Sequence, residues 1–278
     1  MSEATDSSAA VKVTLTGVPE TMLWPLWFRA AKAGAADPLL DDPMAIELVR
    51  RIDYDFAGTF GRPHIAHAIR ARWSDDLIRG FLAAHPGAVV ASLGEGLETQ
   101  FWRVDDGRVQ WLSIDLPEAI ALRRRLLPAH ERLRPIERSA LDTAWFDEVP
   151  AGAPLFVTAA GLLMYFGERD VVALLRAIAE RFPNAELFFD TIPPWFSRKT
   201  LKGMKVTERY TAPPMPFALP LGALERFAAQ IPGLRILEAL TYAEPFPDRM
   251  RFFALVSRIR WLKNRIAPGL VHARFEPA

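Results

Sequence analysis

No cysteine occurs anywhere in the sequence. That excludes disulfides, thiolate zinc sites and a cysteine nucleophile, and it suits a reducing compartment. No apolar run is long enough to span a bilayer, so no integral membrane segment is expected. Charge of one sign is lacking too. The 34 Lys and Arg balance 33 Asp and Glu to a net +1, so no broad field draws nucleic acid. The opening "MSEATDSSAA" has no basic segment followed by an apolar one. It reads as a frayed end over residues 1–16 rather than a secretory leader, and the expected location is the cytoplasm. The sequence carries no internal repeat, no nucleophilic-serine motif and no phosphate-binding lysine loop.

Half of the 278 residues are apolar, enough for one large core, or one core plus a small cap. The first third reads helical. "ETMLWPLWFRAAKAG" is apolar on one face and stops at Gly34; "DDPMAIELVRRI" has Asp42 as N-cap and Pro43 at the first helical position. "HIAHAIRARWSDDLIRGFLAAHP" repeats apolar residues at helical spacing and ends before Pro86. No strand is expected before Val89.

From there, short apolar runs alternate with helices. "AVVASLG", "RVQWLSID", "RLRPIERS", "PLFVTAA", "AELFFDTI", "LRILEALTY" and "MRFFALVSR" are the strand candidates, and "LPEAIALRRRLL" and "ERDVVALLRAIAERF" are intervening helices. Such alternation predicts an α/β fold, a mostly parallel sheet covered on both faces. The last two strands lack a helix between them and predict a final antiparallel hairpin at one edge. The expected divisions are a helical cap over 17–87, a sheet domain over 88–258, and a basic C-terminal tail over 259–278. That tail is expected as a solvated helix broken at Pro268 and a loose end, the alternative being contact with a membrane surface or a partner.

The first strand runs into Gly94-Glu95-Gly96. Ligands of open parallel sheets sit beyond the carboxyl ends of the strands, and glycine lets the backbone turn sharply and a ligand approach. The next strand ends at Asp115, roughly 20 residues on, where a carboxylate can accept both hydroxyl hydrogens of a ribose. Asp115 also precedes a proline-started helix, so helix capping is a compatible second reading. A dinucleotide fingerprint wants a third glycine, where Thr99 stands here. Glu95 and Glu98 are a poor lining for a pyrophosphate and suit a cationic cofactor such as S-adenosylmethionine.

Seven ordered segments between Gly17 and Arg258 resemble the leucine carboxyl methyltransferase family, in its bacterial polyketide O-methyltransferase branch. They are "GVPETMLWPLWFRAA", "DPLLDDPMAIELVRRIDYDF", "IRARWSDDLI", "VVASLGEGLETQFWRVD", "WLSIDLPEAIALRRRLLP", "SALDTAWFDEV" and "LFVTAAGLLMYF". The resemblance implies a class I methyltransferase fold: a Rossmann-like seven-stranded sheet with the last strand antiparallel, under an N-terminal helical cap. It implies S-adenosylmethionine as cofactor and methyl transfer to a carboxylate or hydroxyl of a small metabolite, polyketide-like or another secondary metabolite. By the same resemblance Gly94, Glu95 and Gly96 lie against the cofactor's methionine part, Asp115 takes the ribose and Leu116 lines the adenine. Ser139, Ala140 and Leu141 fall where the family contacts adenine; Arg70 falls on a cap arginine that reaches the cofactor's carboxylate. Asp142 is expected to cap the next helix.

The chain departs from the family pattern. Gly96-Leu97-Glu98-Thr99-Gln100 stands where the family usually has Gly-Leu-Asp-Thr-Arg, and Ala160 stands where it usually has Glu. These departures motivate a second reading, a noncatalytic cofactor-binding relative. A third, a nicotinamide oxidoreductase, conflicts with Thr99. For chemistry at the acceptor, His64 and His67 share one helix face just ahead of Arg70, and Tyr165 follows "GLLM". A hydroxyl acceptor needs a base and a carboxylate does not. Trp195, Phe196 and Tyr210 are expected to wall an aromatic substrate, and Trp24 and Trp27 to pack the cap.

Overall fold

The computed structural model describes residues 10–277. The N-terminal half of the cap contains α1 (Leu23–Ala33), α2 (Pro43–Arg51) and α3 (Phe56–Phe60), followed by the long α4 (Ala66–Ala84). α1 stops at Gly34, and the Asp42 carboxylate caps α2 by accepting from the Ala45 amide at 3.0 Å. The two-residue strands β1 (Val11–Lys12) and β2 (Ile52–Asp53) pair in parallel beside these helices. They correct the expectation of no strand before Val89; two residues are too few to leave a periodic signal. The part of the frayed end expected over residues 1–9 lies outside the described residues.

The main sheet has seven strands: β3 (Val89–Leu93), β4 (Gln110–Asp115), β5 (Leu133–Glu137), β6 (Leu155–Ala159), β7 (Glu186–Thr191), β8 (Leu234–Thr241) and β9 (Gly269–Phe275). Their order is β5-β4-β3-β6-β7-β9-β8, with β9 antiparallel to both neighbours. This is the seven-stranded sheet with an antiparallel last strand that the resemblance implied. β3, β6 and β7 are buried along their whole length, which is why they read as unbroken apolar runs. The chain order reverses beside β3, whose neighbours are β4 and β6, so the carboxyl end of β3 is the sheet's switch point. The register pairs Leu93 with Ile114, bringing the glycine turn beside Asp115.

Helices α5 (Gln100–Val104), α6 (Pro117–Leu126), α7 (Glu168–Arg181), α8 (Pro194–Leu201) and α9 (Leu224–Ala228) connect these strands. Leu174, Leu175 and Ile178 of α7 pack one sheet face. Ile69, Trp73, Ile78 and Phe81 of α4 pack the other, against Val90, Phe156 and Phe188. Each such side chain contributes about 1.5–3 kcal/mol by leaving water. The expected division at residue 87 therefore does not separate two cores, because α4 belongs to the sheet's own.

The C-terminal expectations are corrected more strongly. "MRFFALVSR" is not a strand; it contains α10 (Arg251–Ser257), followed by α11 (Arg260–Ile266). The last strand is β9, inside the segment expected as a loose tail, and it is central enough to lie between β7 and β8. Its polar residues hid it. His272 and Arg274 both reach Glu186 of β7, His272 Nε2 at 2.7 Å and the Arg274 guanidinium at 2.5 Å. Leu270, Val271, Ala273 and Phe275 are buried.

Candidate functional site

The corner after β3 needs both of its glycines. Gly94 and Gly96 have φ of +61° and +52°, a region L side chains rarely adopt. A Cβ at Gly94 would lie 2.5 Å from Leu162 Cδ1, and one at Gly96 would lie 2.7 Å from Met22 Cβ. The Gly96 amide donates to Asp115 Oδ2 at 2.6 Å, and the Leu116 amide donates to Oδ1 at 2.7 Å. These bonds aim the Asp115 carboxylate and leave it acceptor capacity, since two oxygens offer about four lone-pair sites. Burial raises its pKa, against the pull of the Gly96 and Leu116 amides.

The two glutamates of the turn border the cavity but are paired with arginines. Glu95 Oε1 accepts from Trp111 Nε1 at 2.9 Å, and Oε2 lies 2.9 Å from Arg123 Nη2. Burial raises the pKa of Glu95, with Arg123 opposing. Arg123 also donates to the Gly96 and Glu98 carbonyls, at 2.6 and 2.9 Å, so α6 holds the turn from below. Glu98 is gripped by Arg29 at 2.9 Å and Arg103 at 2.7 Å. Burial alone would raise its pKa, but these two guanidiniums bring it down to about 2. The charges that the sequence offered to a cationic cofactor are thus shared with arginines of three helices.

Glu98 belongs to a larger buried cluster. Asp42 accepts from Arg29 Nε at 3.2 Å, Thr99 Oγ1 at 2.7 Å and Arg103 Nη1 at 3.0 Å. Arg103 Nε reaches Asp75 at 2.7 Å, and Gln100 Nε2 donates to Asp75 and Ser74, both at 2.8 Å. Thr99, in the place of a third glycine, thus bridges cap and turn.

A second polar centre stands at the carboxyl ends of β6 and β7. Arg70 Nη1 donates to Asp190 Oδ2 at 2.9 Å, and the Tyr242 hydroxyl donates to the same oxygen at 2.7 Å. Asp190 Oδ1 accepts from the Gly161 amide. Gly161 has φ +72°, and a Cβ there would sit 2.6 Å from Arg70 Nη1. Burial works against the charge of Arg70, but Asp190 and Tyr242 outweigh it and raise the pKa. Burial, then Asp190, raises the Tyr242 hydroxyl well above its usual value.

Both centres open into one cavity of about 800 Å³, within the ~300–1,000 Å³ usual for small-molecule sites. Its wall includes Gly94, Glu95, Gly96, Asp115, Leu116, Ala140 and Ala160 of the sequence-predicted residues, together with Arg70, His64, His67 and Tyr165. Leu141 is not among them. It is partly buried against the core on one sheet face. Asp190 and Tyr242 were missed by sequence reading.

A family model described as leucine carboxyl methyltransferase matches residues 23–179. The tetracenomycin polyketide synthesis O-methyltransferase TcmP of Streptomyces glaucescens is 37% identical over 229 residues, 81% of this chain and 83% of that protein. The chain belongs to the leucine carboxyl methyltransferase family. A further relative, the S-adenosyl-L-methionine-dependent methyltransferase dpfgK of Gibberella zeae, is 35% identical over 202 residues, covering 64% of this chain and 67% of that protein. Among solved structures, the N-methyltransferase NodS of Bradyrhizobium japonicum WM9 with S-adenosyl-l-homocysteine has a TM-score of 0.48 at 12% identity, covering 85% of this chain and 98% of its own.

The departures from the family pattern have local answers. At position 100 the Gln side chain donates to Ser74 and Asp75, and Arg103 supplies Asp75 with a guanidinium. At position 160 the side chain is a methyl group, and the carboxylate beside the next amide comes from Asp190 on the neighbouring strand. Of the aromatic candidates, Trp195 and Phe196 line the cavity, whereas Tyr210 packs into the cap core 4.9 Å from Phe60. Trp24 stacks on Phe60 and Trp27 on Phe56, as expected of cap residues, though Trp24 also faces the cavity. Asp142 accepts from the Ala144 amide at 3.0 Å and caps the short helical turn over Thr143–Glu148.

His64 and His67 stack 5.7 Å apart, and both meet the edge of Phe28. His67 Nδ1 is buried with no hydrogen-bond partner among the described residues. Burial, then the neighbouring Arg70 and His64, pushes the His67 pKa well below its usual value. Burial, then Lys32, also lowers that of His64. Burial raises the Tyr165 hydroxyl, with the Thr21 hydroxyl opposing.

Proposed function

We propose that the protein is an S-adenosylmethionine-dependent O-methyltransferase acting on a carboxylate or hydroxyl of a small polyketide-like or other secondary metabolite. The observation that carries this reading is the continuity of one cavity. It joins the Gly94–Asp115 corner to an apolar chamber walled by Met164, Trp195, Phe196 and Met215. A corner plugged by the protein's own side chains would have left no such space.

The residues present fit the cofactor. Asp115, aimed by two amides, is the acceptor for ribose hydroxyls; Leu116 and Ala140 offer apolar surface for adenine. Arg70, held by Asp190, is a fixed cation for the carboxylate, and Asp190 replaces Glu95 and Glu98 as the acidic group beside the ammonium. S-adenosylmethionine, when bound, supplies a methyl group already activated on a sulfonium. The protein's work is to align the acceptor and exclude water, and such alignment lowers a barrier by several kcal/mol. For a hydroxyl acceptor, His67 is the base. His67 lines the cavity, and its lowered pKa keeps the imidazole neutral and able to take a proton. Among the described residues no helix is long and apolar enough to cross a membrane, and the place of action we propose is the cytoplasm.

Calorimetric titration with S-adenosylmethionine, S-adenosylhomocysteine and nicotinamide dinucleotide tests the cofactor; turnover on a panel of phenols and carboxylic acids tests the chemistry. Binding of the first two, with methyl transfer to at least one acceptor class, is expected. Binding without turnover on any acceptor would favour a noncatalytic relative, and binding of the dinucleotide alone would overturn the reading. Loss of kcat in His67→Gln on phenols but not on carboxylic acids is the expected signature of the base.

A further inference from the structure

The geometry points to the outer face of α10 and α11 as a docking surface for an anionic lipid bilayer. Residues 251–266 contain Arg251, Arg258, Arg260, Lys263 and Arg265 and no acidic residue. Lys263 is neutralised by Glu244 at 2.8 Å, but among the described residues none of the four arginines has a carboxylate partner. Between them Leu255, Ile259 and Trp261 project with 60%, 54% and 60% of their surface exposed. The Arg265 guanidinium lies 5.8 Å from the Trp261 ring.

Large exposed apolar side chains gathered in one segment mark an interaction surface rather than ordinary scatter. Trp and Leu set among arginines match the headgroup boundary of a membrane, where rings and aliphatic tips enter the acyl edge and cations meet lipid phosphates. A second copy of the chain is a poorer occupant. A two-fold contact across this face would set the four unpaired arginines of one copy against the same four of the other. The position of the segment gives the docking a purpose. Phe252, Phe253, Val256, Leu262 and Ile266, from the same two helices, line the cavity. An apolar acceptor dissolved in the bilayer would pass from lipid to chamber along a continuous apolar surface.

The test is flotation of the full chain with vesicles of phosphatidylcholine alone and of phosphatidylcholine mixed with phosphatidylglycerol. We expect flotation with the anionic vesicles only, weakening as salt rises. The Leu255→Glu, Trp261→Glu double variant should lose it. Arg258→Gln with Arg260→Gln should reduce it by about tenfold or more at low salt, since each cation at an anionic surface is worth close to a factor of five. Neither Leu255 nor Trp261 lines the cavity, so an unchanged thermal midpoint and unchanged S-adenosylmethionine affinity separate loss of docking from loss of fold. The proposal is overturned if neither vesicle carries the protein, or if the double variant floats as well as the wild type. A wild-type dimer in light scattering that the double variant converts to monomer would also overturn it, since a second copy would then cover the face.

Discussion

Replacing Asp190 by Leu should be among the most destabilising single changes in this protein, and replacing its partner as well should relieve part of the damage. The side chains of Arg70 and Asp190 are only 9% and 3% exposed, so water screens the pair little. Asp190→Leu leaves three donors without an acceptor: Arg70 Nη1, the Tyr242 hydroxyl and the Gly161 amide. Removing one partner of a buried pair costs about 3–5 kcal/mol, which for a chain of this size lowers Tm by roughly 5–9 °C. Arg70→Met is milder, about 1–3 kcal/mol, because Asp190 keeps the hydroxyl and the amide. In the double variant no buried charge is stranded, so its cost should fall at least ~2 kcal/mol short of the sum of the singles. Urea denaturation of the four proteins measures the cycle. Additivity within ~0.5 kcal/mol would refute the pairing.

Asp115→Ala should weaken S-adenosylmethionine binding by roughly 1–3 kcal/mol in calorimetry; an unchanged Kd would mean the carboxylate only orders the Gly96 and Leu116 amides. Gly161→Ala should cost about 1–2 kcal/mol from its left-handed backbone alone. It should also loosen the cofactor by pushing Arg70 aside, since its Cβ would stand 2.6 Å from Nη1; a crystal structure with Arg70 unmoved would contradict this. His67 has a folded pKa below its ordinary 6.5, so the unfolded chain binds more protons as pH falls beneath that value. Its contribution is present above about pH 6.5 and is lost on acidification, so His67→Gln should flatten the stability–pH slope below pH 6.5 by up to about 1.4 kcal/mol per pH unit. Urea midpoints at several pH values read this slope, and an equal slope in both proteins would exclude the residue.

The legible parts of the molecule were those whose signal is local. Five of the seven main strands announced themselves as short apolar runs, β5 gave a weaker signal because only its Ile136 is buried, and Asp42, Gly34 and Pro43 marked helix ends. The glycine corner and Asp115 could be read together because the register between β3 and β4 follows from adjacent strand ends. β9 was missed because His272 and Arg274 interrupt its apolar pattern, and what makes them tolerable is Glu186, far away in sequence. The exposed Phe252, Phe253 and Leu255 imitated a buried strand for the opposite reason: their apolar run has no core behind it. Asp190 was invisible as a site residue because nothing beside it in "ELFFDT" says which arginine it meets. The orientation of Glu95 and Glu98 was equally beyond reach, since it depends on Arg29, Arg103 and Arg123 arriving from three other helices.

The charged knot around Thr99 decides which half of the site is rigid. Arg29, Asp42, Asp75, Glu98 and Arg103 interlock the first, second and fourth helices with the corner after β3. Swinging that half of the molecule outward would strand ions whose desolvation is already spent, at several kcal/mol apiece. The roof over that corner is therefore fixed masonry.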